Sequence, residues 1–284
     1  MSVHVLTATR VDGWNLEQLT ALPRGPAQPV DVLFVHGICT GARIFAERFL
    51  DAFAAAGFRA HALSLRGHGG SDGRDWLKTF TLADYVADLR AALAAIGRPT
   101  VVVGFSMGGA VLQAHLRAGG RPAGAVLLAS VPPWGLGPST LRLMVEDPAL
   151  FHQLWLLSGV GVAAVEPAVM RRALFTDAVD DDAFRTFLAD AHDESPLVGL
   201  ELLGGRPIAP WPLGLPPVAV VGGALDRLVP ADDVRATAAW YRVRPVILEG
   251  LAHAMMLEPD WPRAAAPILD FCGRIAATRS ERAA

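Results

Sequence analysis

The chain has 284 residues, 52% hydrophobic and 19% charged, a balance that excludes a disordered or fibrous protein and allows a sizeable core. A formal charge of -3 supplies no broad cationic field, which argues against nucleic acid or an anionic membrane as the main partner. Cys39 and Cys272 stand far apart with no second ligand set at zinc-like spacing, so neither a disulfide scaffold nor a metal site is expected.

Residues 1–10 lack a charged start, an apolar stretch and a cleavage site in succession; with reduced thiols, the expectation is a cytoplasmic protein. Residues 3–9 read as an antiparallel first strand. The short β-branched run at 30–35 is followed by a helical pattern over 44–56. Leu82, Tyr85, Val86, Leu89, Leu93 and Ile96 keep helical spacing and stop at Gly97-Arg98-Pro99. Strand then helix recurs at 100–104 and 107–117, and again at 218–221 and 232–240, with a further strand at 246–248. This alternation predicts an α/β fold, a mostly parallel sheet with helices on both faces. From 131 to 210 the pattern turns helical without obvious strands, opened by Pro132-Pro133 and closed by Pro207, Pro210 and Pro212. Its apolar stretch at 154–165 is too short, and too broken by Ser158, Gly159 and Gly161, to span a membrane.

Gly104-Phe105-Ser106-Met107-Gly108 lies between one of these strands and its helix. A sharp turn there strains the central residue, and side chains two positions to either side would clash, which accounts for glycine at 104 and 108. Ser106 then stands at a helix N-terminus, where the amide of Met107 can stabilise an oxyanion. A serine hydroxyl needs a base to take its proton, and His253, in the loop after the 246–248 strand, is the candidate. His4 and His115 read as structural, His61 lies in a strand pattern, and His152 and His192 belong to the insertion. The imidazole in turn needs an acceptor on its far nitrogen. Asp226, following the buried run at 218–225, meets that need; its rivals Asp232 and Asp233 follow Pro230 and suit a helix N-terminus. His36-Gly37-Ile38 closes the 30–35 strand, and the amide of Ile38 can face that of Met107 across a reacting carbonyl. Cys39, without a local base, reads as structural.

Together these residues resemble the α/β-hydrolase superfamily, in its serine esterase and lipase, monoacylglycerol-lipase-like branch. The oxyanion turn at 36–38, the elbow at Ser106, Asp226 and His253 stand in that family's order. The resemblance runs from about residue 30 to 272. It implies an eight-stranded-type core built from 1–130 and 211–284, with 131–210 as a helical cap after the sixth strand. Leu65-Arg66-Gly67-His68-Gly69-Gly70-Ser71 is similar to the loop after the fourth strand in that branch, where His68 shapes the loop. Ala252 departs from the commoner glycine before the histidine. Epoxide hydrolases and haloalkane dehalogenases of the superfamily carry aspartate where Ser106 stands, and Tyr85 and Tyr241 lie outside the insertion, so those chemistries are disfavoured. The activity implied is cofactor-independent hydrolysis of a small-molecule carboxylic ester through an acyl-enzyme. A neutral, largely apolar substrate is expected, because the insertion holds eleven acids against five arginines. Trp134, Phe151 and Trp155, with Met144, Leu154 and Leu157, are expected to supply apolar surface for its pocket. The same residues would also suit a lactone or a carbon-carbon bond next to a carbonyl, and an intact fold could bind a small molecule without turning it over.

Overall fold

The computed structural model describes residues 3–204 and 214–283. The chain opens with an antiparallel hairpin of β1 (Val3–Val11) and β2 (Trp14–Leu22). Asp12 and Gly13 close it at φ of 51° and 91°, the left-handed pair that matches the twist of the flanking strands. The apolar pattern gives no sign of β2, because Gln18 and Thr20 occupy inward positions and bond His61 Nδ1 at 3.2 and 2.8 Å. Polar residues on the buried face erase the alternation that marks a half-buried strand.

Six more strands complete the sheet: β3 (Asp31–Val35), β4 (Ala60–Leu63), β5 (Thr100–Phe105), β6 (Gly124–Leu128), β7 (Val218–Gly223) and β8 (Pro245–Leu248). Their order is β1-β2-β4-β3-β5-β6-β7-β8. β2 meets β4 antiparallel, and every pairing beyond is parallel. β3 to β6 are buried at every residue, as strands covered on both faces must be.

Successive side chains of β3 feed opposite layers, as the period of two requires. Val32 and Phe34 join one core, and Leu33 and Val35 the other. The expected 44–56 helix is divided into a 3-10 turn (Ala42–Phe45), a π turn (Ala46–Leu50) and α1 (Asp51–Ala55). In that register Phe45, Phe49 and Phe53 all pack on Phe34, with centroids 5.0, 5.7 and 5.1 Å away. The opposite layer takes α2 (Leu82–Ile96), fixed by a Thr81/Asp84 capping box and ended by Gly97 at φ 62°, and α3 (Met107–Arg117).

Among the described residues between β6 and β7 come five α-helices: α4 (Gly137–Glu146), α5 (Pro148–Gly159), α6 (Pro167–Leu174), α7 (Asp181–Asp190) and α8 (Pro196–Leu203). Proline at the first turn starts four of them, where its missing N–H costs no helical bond. This insertion has a small core of its own, Leu143, Leu150, Val169 and Ala173. Phe175, Val179 and Phe184 instead join one layer of the sheet, and Val198 and Leu202 the other. The expected boundary at 210 and its prolines lie outside the described residues. α9 (Ala231–Trp240) and α10 (Trp261–Ala283) follow. Among the described residues no helix is long and apolar enough to cross a membrane.

Candidate active site

Every parallel strand ends at one rim, and the loops there carry the polar atoms of the site. Ser106 links β5 to α3 at φ 52° and ψ −115°, a strained conformation that persists only where the surroundings enforce it. They do so through the main chain. The Ser106 amide donates to Leu128 of β6 at 3.0 Å, and the Ser106 carbonyl accepts from Gly109 and Val131 at 3.0 and 3.2 Å. A methyl group at 104 would run into the backbone of Gly108, and one at 108 into the carbonyls of Val35 and His36. Glycine at both positions lets three backbone segments meet under the serine.

Asp226 follows β7 in a tight turn, where its Oδ1 accepts the amides of Leu228 and Val229, each at 2.8 Å. Oδ2 is left to face His253 Nδ1 at 2.7 Å. The proton on that nitrogen therefore points at the carboxylate, and Nε2 is the acceptor that meets Ser106 Oγ at 3.1 Å. His253 rests against the Phe105 ring, and all three residues are buried. Its loop is held from both sides. Glu258 accepts the Ala252 amide at 2.9 Å and the Thr176 hydroxyl, while the Ala254 amide donates to Leu174 at 2.9 Å. Asp232 and Asp233 sit in the first turn of α9, engaged with Arg235 and with Ser139 and Arg142.

Ile38 lies in the turn after β3. A side chain at Gly37 would meet Phe105 and the Cβ of Ser106 at 3.0 and 3.1 Å, so the turn packs directly on the elbow. Met107 opens α3, and an amide in the first helical turn has no partner within its own helix. Cys39, at φ 61°, is a buried thiol whose pKa is pushed up by loss of solvent.

A cavity of about 320 Å³ opens beside Ser106 and His253. Ile38, Ile44, Phe105, Met256 and Leu257 wall it from the sheet side, and Leu157, Val162, Val165, Met170, Leu174, Phe187 and Leu188 from the insertion. No Asp, Glu, Lys or Arg is among its described lining residues. A cavity of about 560 Å³ between α2, α3 and α8 does not include Ser106.

Trp134, Phe151 and Trp155 do not line the cavity beside Ser106. Trp134 packs edge-on against Trp240 of α9 at 6.1 Å, Phe151 joins the insertion's own small core, and Trp155 is 62% exposed. The reason is helical phase. The buried stripe of α5 is Leu150, Gln153 and Leu157, which leaves Trp155 on the outer side. Of the six residues expected to supply pocket surface, only Leu157 lines the cavity; Met144 is 48% exposed and Leu154 sides with Phe151. The wall at 162–174 and 187–188 was marked by no distinctive residue type. Spacing along the helices, rather than size or aromaticity, is the signal that finds it.

The loop after β4 is shaped by polar contacts. Arg66 is clamped on buried Asp88, with Nε and the main-chain amide each 2.8 Å from its carboxylate. Ser71 donates to Ser64 O at 2.6 Å. His68 Nδ1 donates to Arg66 O and Nε2 to Glu194, both at 3.0 Å. His192, centroid 4.9 Å from His68, belongs to the same cluster and does not line the cavity. Among the described residues no group of three or more His, Cys, Asp or Glu is placed to hold a metal ion.

A family model described as the alpha/beta hydrolase family matches residues 32–265. A monoacylglycerol lipase of Mycolicibacterium smegmatis is 29% identical over 248 residues, 81% of this chain and 82% of that protein. Among solved structures, the esterase RhEst1 from Rhodococcus sp. ECU1013 is 23% identical with a TM-score of 0.69, covering 97% of this chain and all of its own. The esterase EaEST from Exiguobacterium antarcticum is 15% identical with a TM-score of 0.73, covering 95% of this chain and 99% of its own. At those identities the two structural matches bear on the fold.

Proposed function

The chain belongs to the alpha/beta hydrolase family and to its esterase and lipase type, and we propose that it cleaves carboxylic esters of neutral, largely apolar small molecules through an acyl-enzyme on Ser106. The observation that carries this reading is the hydrogen-bonded line from Ser106 Oγ through His253 to Asp226, at 3.1 and 2.7 Å, at the edge of an apolar cavity.

In this mechanism the ester's apolar part fills the cavity and presents its carbonyl to Ser106. As Oγ attacks, its proton passes to His253 Nε2, and Asp226 stabilises the imidazolium while holding its orientation. The tetrahedral oxyanion is met by the amides of Ile38 and Met107, donors typically worth about 3 kcal/mol each in the transition state. His253 returns the proton to the departing alkoxide, and the alcohol leaves. Water then gives its proton to the same nitrogen as it attacks the acyl carbonyl, and the acid departs with Ser106 restored. The strained elbow serves this by holding Oγ clear of its own backbone.

Substrate class follows from the wall. A charged head group would find no counter-ion among the described lining residues, and its desolvation would go uncompensated. The helices between 137 and 203 act as the cap that supplies the outer wall. The reading is tested by initial rates on p-nitrophenyl esters. We expect turnover by the native protein and a loss of about 10⁴-fold or more in Ser106→Ala; unchanged turnover in that variant refutes the nucleophile.

A further inference from the structure

A second polar cluster lies apart from the reacting line, where residues 191–195 of the insertion meet the turn that carries Ile38. The hydrogen bonds fix the charge of each member. His36 Nδ1 donates to Gly37 O at 2.7 Å and Nε2 accepts the Leu65 amide at 3.0 Å, so its ring is neutral. His192 Nδ1 donates to Asp193 O at 3.0 Å and Nε2 accepts the Gly69 amide at 3.4 Å, so it is neutral too. His68 faces only acceptors, Arg66 O and Glu194 Oε2, and is therefore the imidazolium. Its side chain is fully buried, and that of Glu194 is 7% exposed. Such a pair is stable only when its remaining valences are met. Glu194 meets them with the Tyr85 hydroxyl at 2.7 Å and the Ser195 amide at 2.8 Å.

The last contacts of this cluster fall on Cys39. Its amide donates to Glu194 Oε2 at 3.4 Å, and its carbonyl accepts the His192 amide at 3.0 Å. Both polar groups of a residue at φ 61° are thus held by the insertion, and for a non-glycine residue that conformation needs external support. The bond from Glu194 fixes the peptide that joins Ile38 to Cys39, next to the Gly37–Ile38 peptide that carries the Ile38 N–H, and the bond to His192 fixes the peptide that follows.

We propose that Glu194, anchored by charged His68 and by Tyr85, is a positioning residue that sets the oxyanion turn at Ile38–Cys39, so that seating of the insertion completes the site. This rests on the reading of Ile38 as an oxyanion donor. The insertion then contributes to the rate of the chemical step as well as to the wall of the cavity. Because the oxyanion exists only after attack, misplacing its donor costs turnover far more than ground-state binding.

The experiment uses the full chain with Glu194→Ala, Tyr85→Phe and, as control, Ser106→Ala. Active sites are counted by fluorophosphonate titration, and kcat and KM are measured on p-nitrophenyl butyrate together with inhibition by a trifluoromethyl ketone, which forms the tetrahedral adduct. We expect Glu194→Ala to lose about 30-fold in kcat with KM within about threefold, and the ketone to weaken by the same factor as kcat/KM. Tyr85→Phe, which removes one of the carboxylate's bonds, should lose about three- to tenfold. A purely structural role would lower the count of titratable sites and leave kcat per site and ketone affinity unchanged. That result, or a loss confined to KM, overturns the proposal. Should Glu194→Ala not fold, native kcat per site in Tyr85→Phe overturns it instead. Full activity in Ser106→Ala would refute the nucleophile itself, a separate failure.

Discussion

The loops at the rim of the sheet and the helices laid over them share one cavity and differ in what they bring to it. Ser106, His253 and Asp226 come from three loops whose backbones are fixed by the parallel strands below. The insertion gives side chains such as Leu157, Met170 and Leu188, on helices that bury only a small core of their own. Positions set by a rigid sheet suit chemistry, where a displacement of about 1 Å costs about 100-fold in rate. Positions on loosely self-sufficient helices suit selection among apolar substrates, where fit is worth about 1–3 kcal/mol per methylene.

The sharpest way to break this division is Asp226→Asn. Asparagine can keep the bonds to Leu228 and Val229 while its amide turns a donor toward His253 Nδ1, which forces the wrong tautomer. We expect kcat to fall by about 10³–10⁴-fold with the thermal midpoint within a few degrees of native, measured on p-nitrophenyl acetate. On the insertion, Met170→Trp fills part of the cavity. It should lower kcat/KM for p-nitrophenyl octanoate by about tenfold while leaving the acetate within about twofold, which a steady-state comparison of the two esters reads directly.

Acid separates the regions less selectively. Burial lowers the pKa of His36 to about 3 and of His115 and His192 to about 4, against 6.5 for an unperturbed histidine. The unfolded chain binds more protons at these three sites between pH 6.5 and 4, so their contribution to stability is present above 6.5 and is lost as pH falls toward 4. His68 is shifted the other way by Glu194, and its contribution is complete below 6.5 and lost as pH rises through its folded value. Urea unfolding at pH 6.5 and 4.5 should therefore show stability lower at the acid pH by more than about 2 kcal/mol. The smallest effect is expected of Trp155→Ser. This exposed side chain lies away from the cavity, and activity should stay within about twofold with the thermal midpoint within about 2 °C.

The two regions also differ in how far the sequence announces them. Gly104, Ser106 and Gly108 are legible because a strand-to-helix turn restricts which residues fit, and Asp226 and His253 because each follows a buried apolar run. That the described part of the insertion is helical is legible from its spacing, while the division into separate helices is not. Which face of α5 turns inward is decided by contacts with α4, α6 and α8, so bulk at Trp155 misleads where the phase of Leu150, Gln153 and Leu157 does not. β2 escapes for a related reason: Gln18 and Thr20 are buried because His61, from a strand paired later, is there to bond them. The pairing of His68 with Glu194 joins positions 126 residues apart. No local pattern encodes it, and only the folded chain brings the two charges together.

The most direct measurement is the site of covalent capture. Intact-mass analysis and peptide mapping after reaction with a fluorophosphonate should place one adduct on Ser106, with none in Ser106→Ala and a much slower reaction in His253→Gln. An adduct on another residue, or native labelling rates without the imidazole at 253, would contradict the assignment of Ser106 as the nucleophile and His253 as its base.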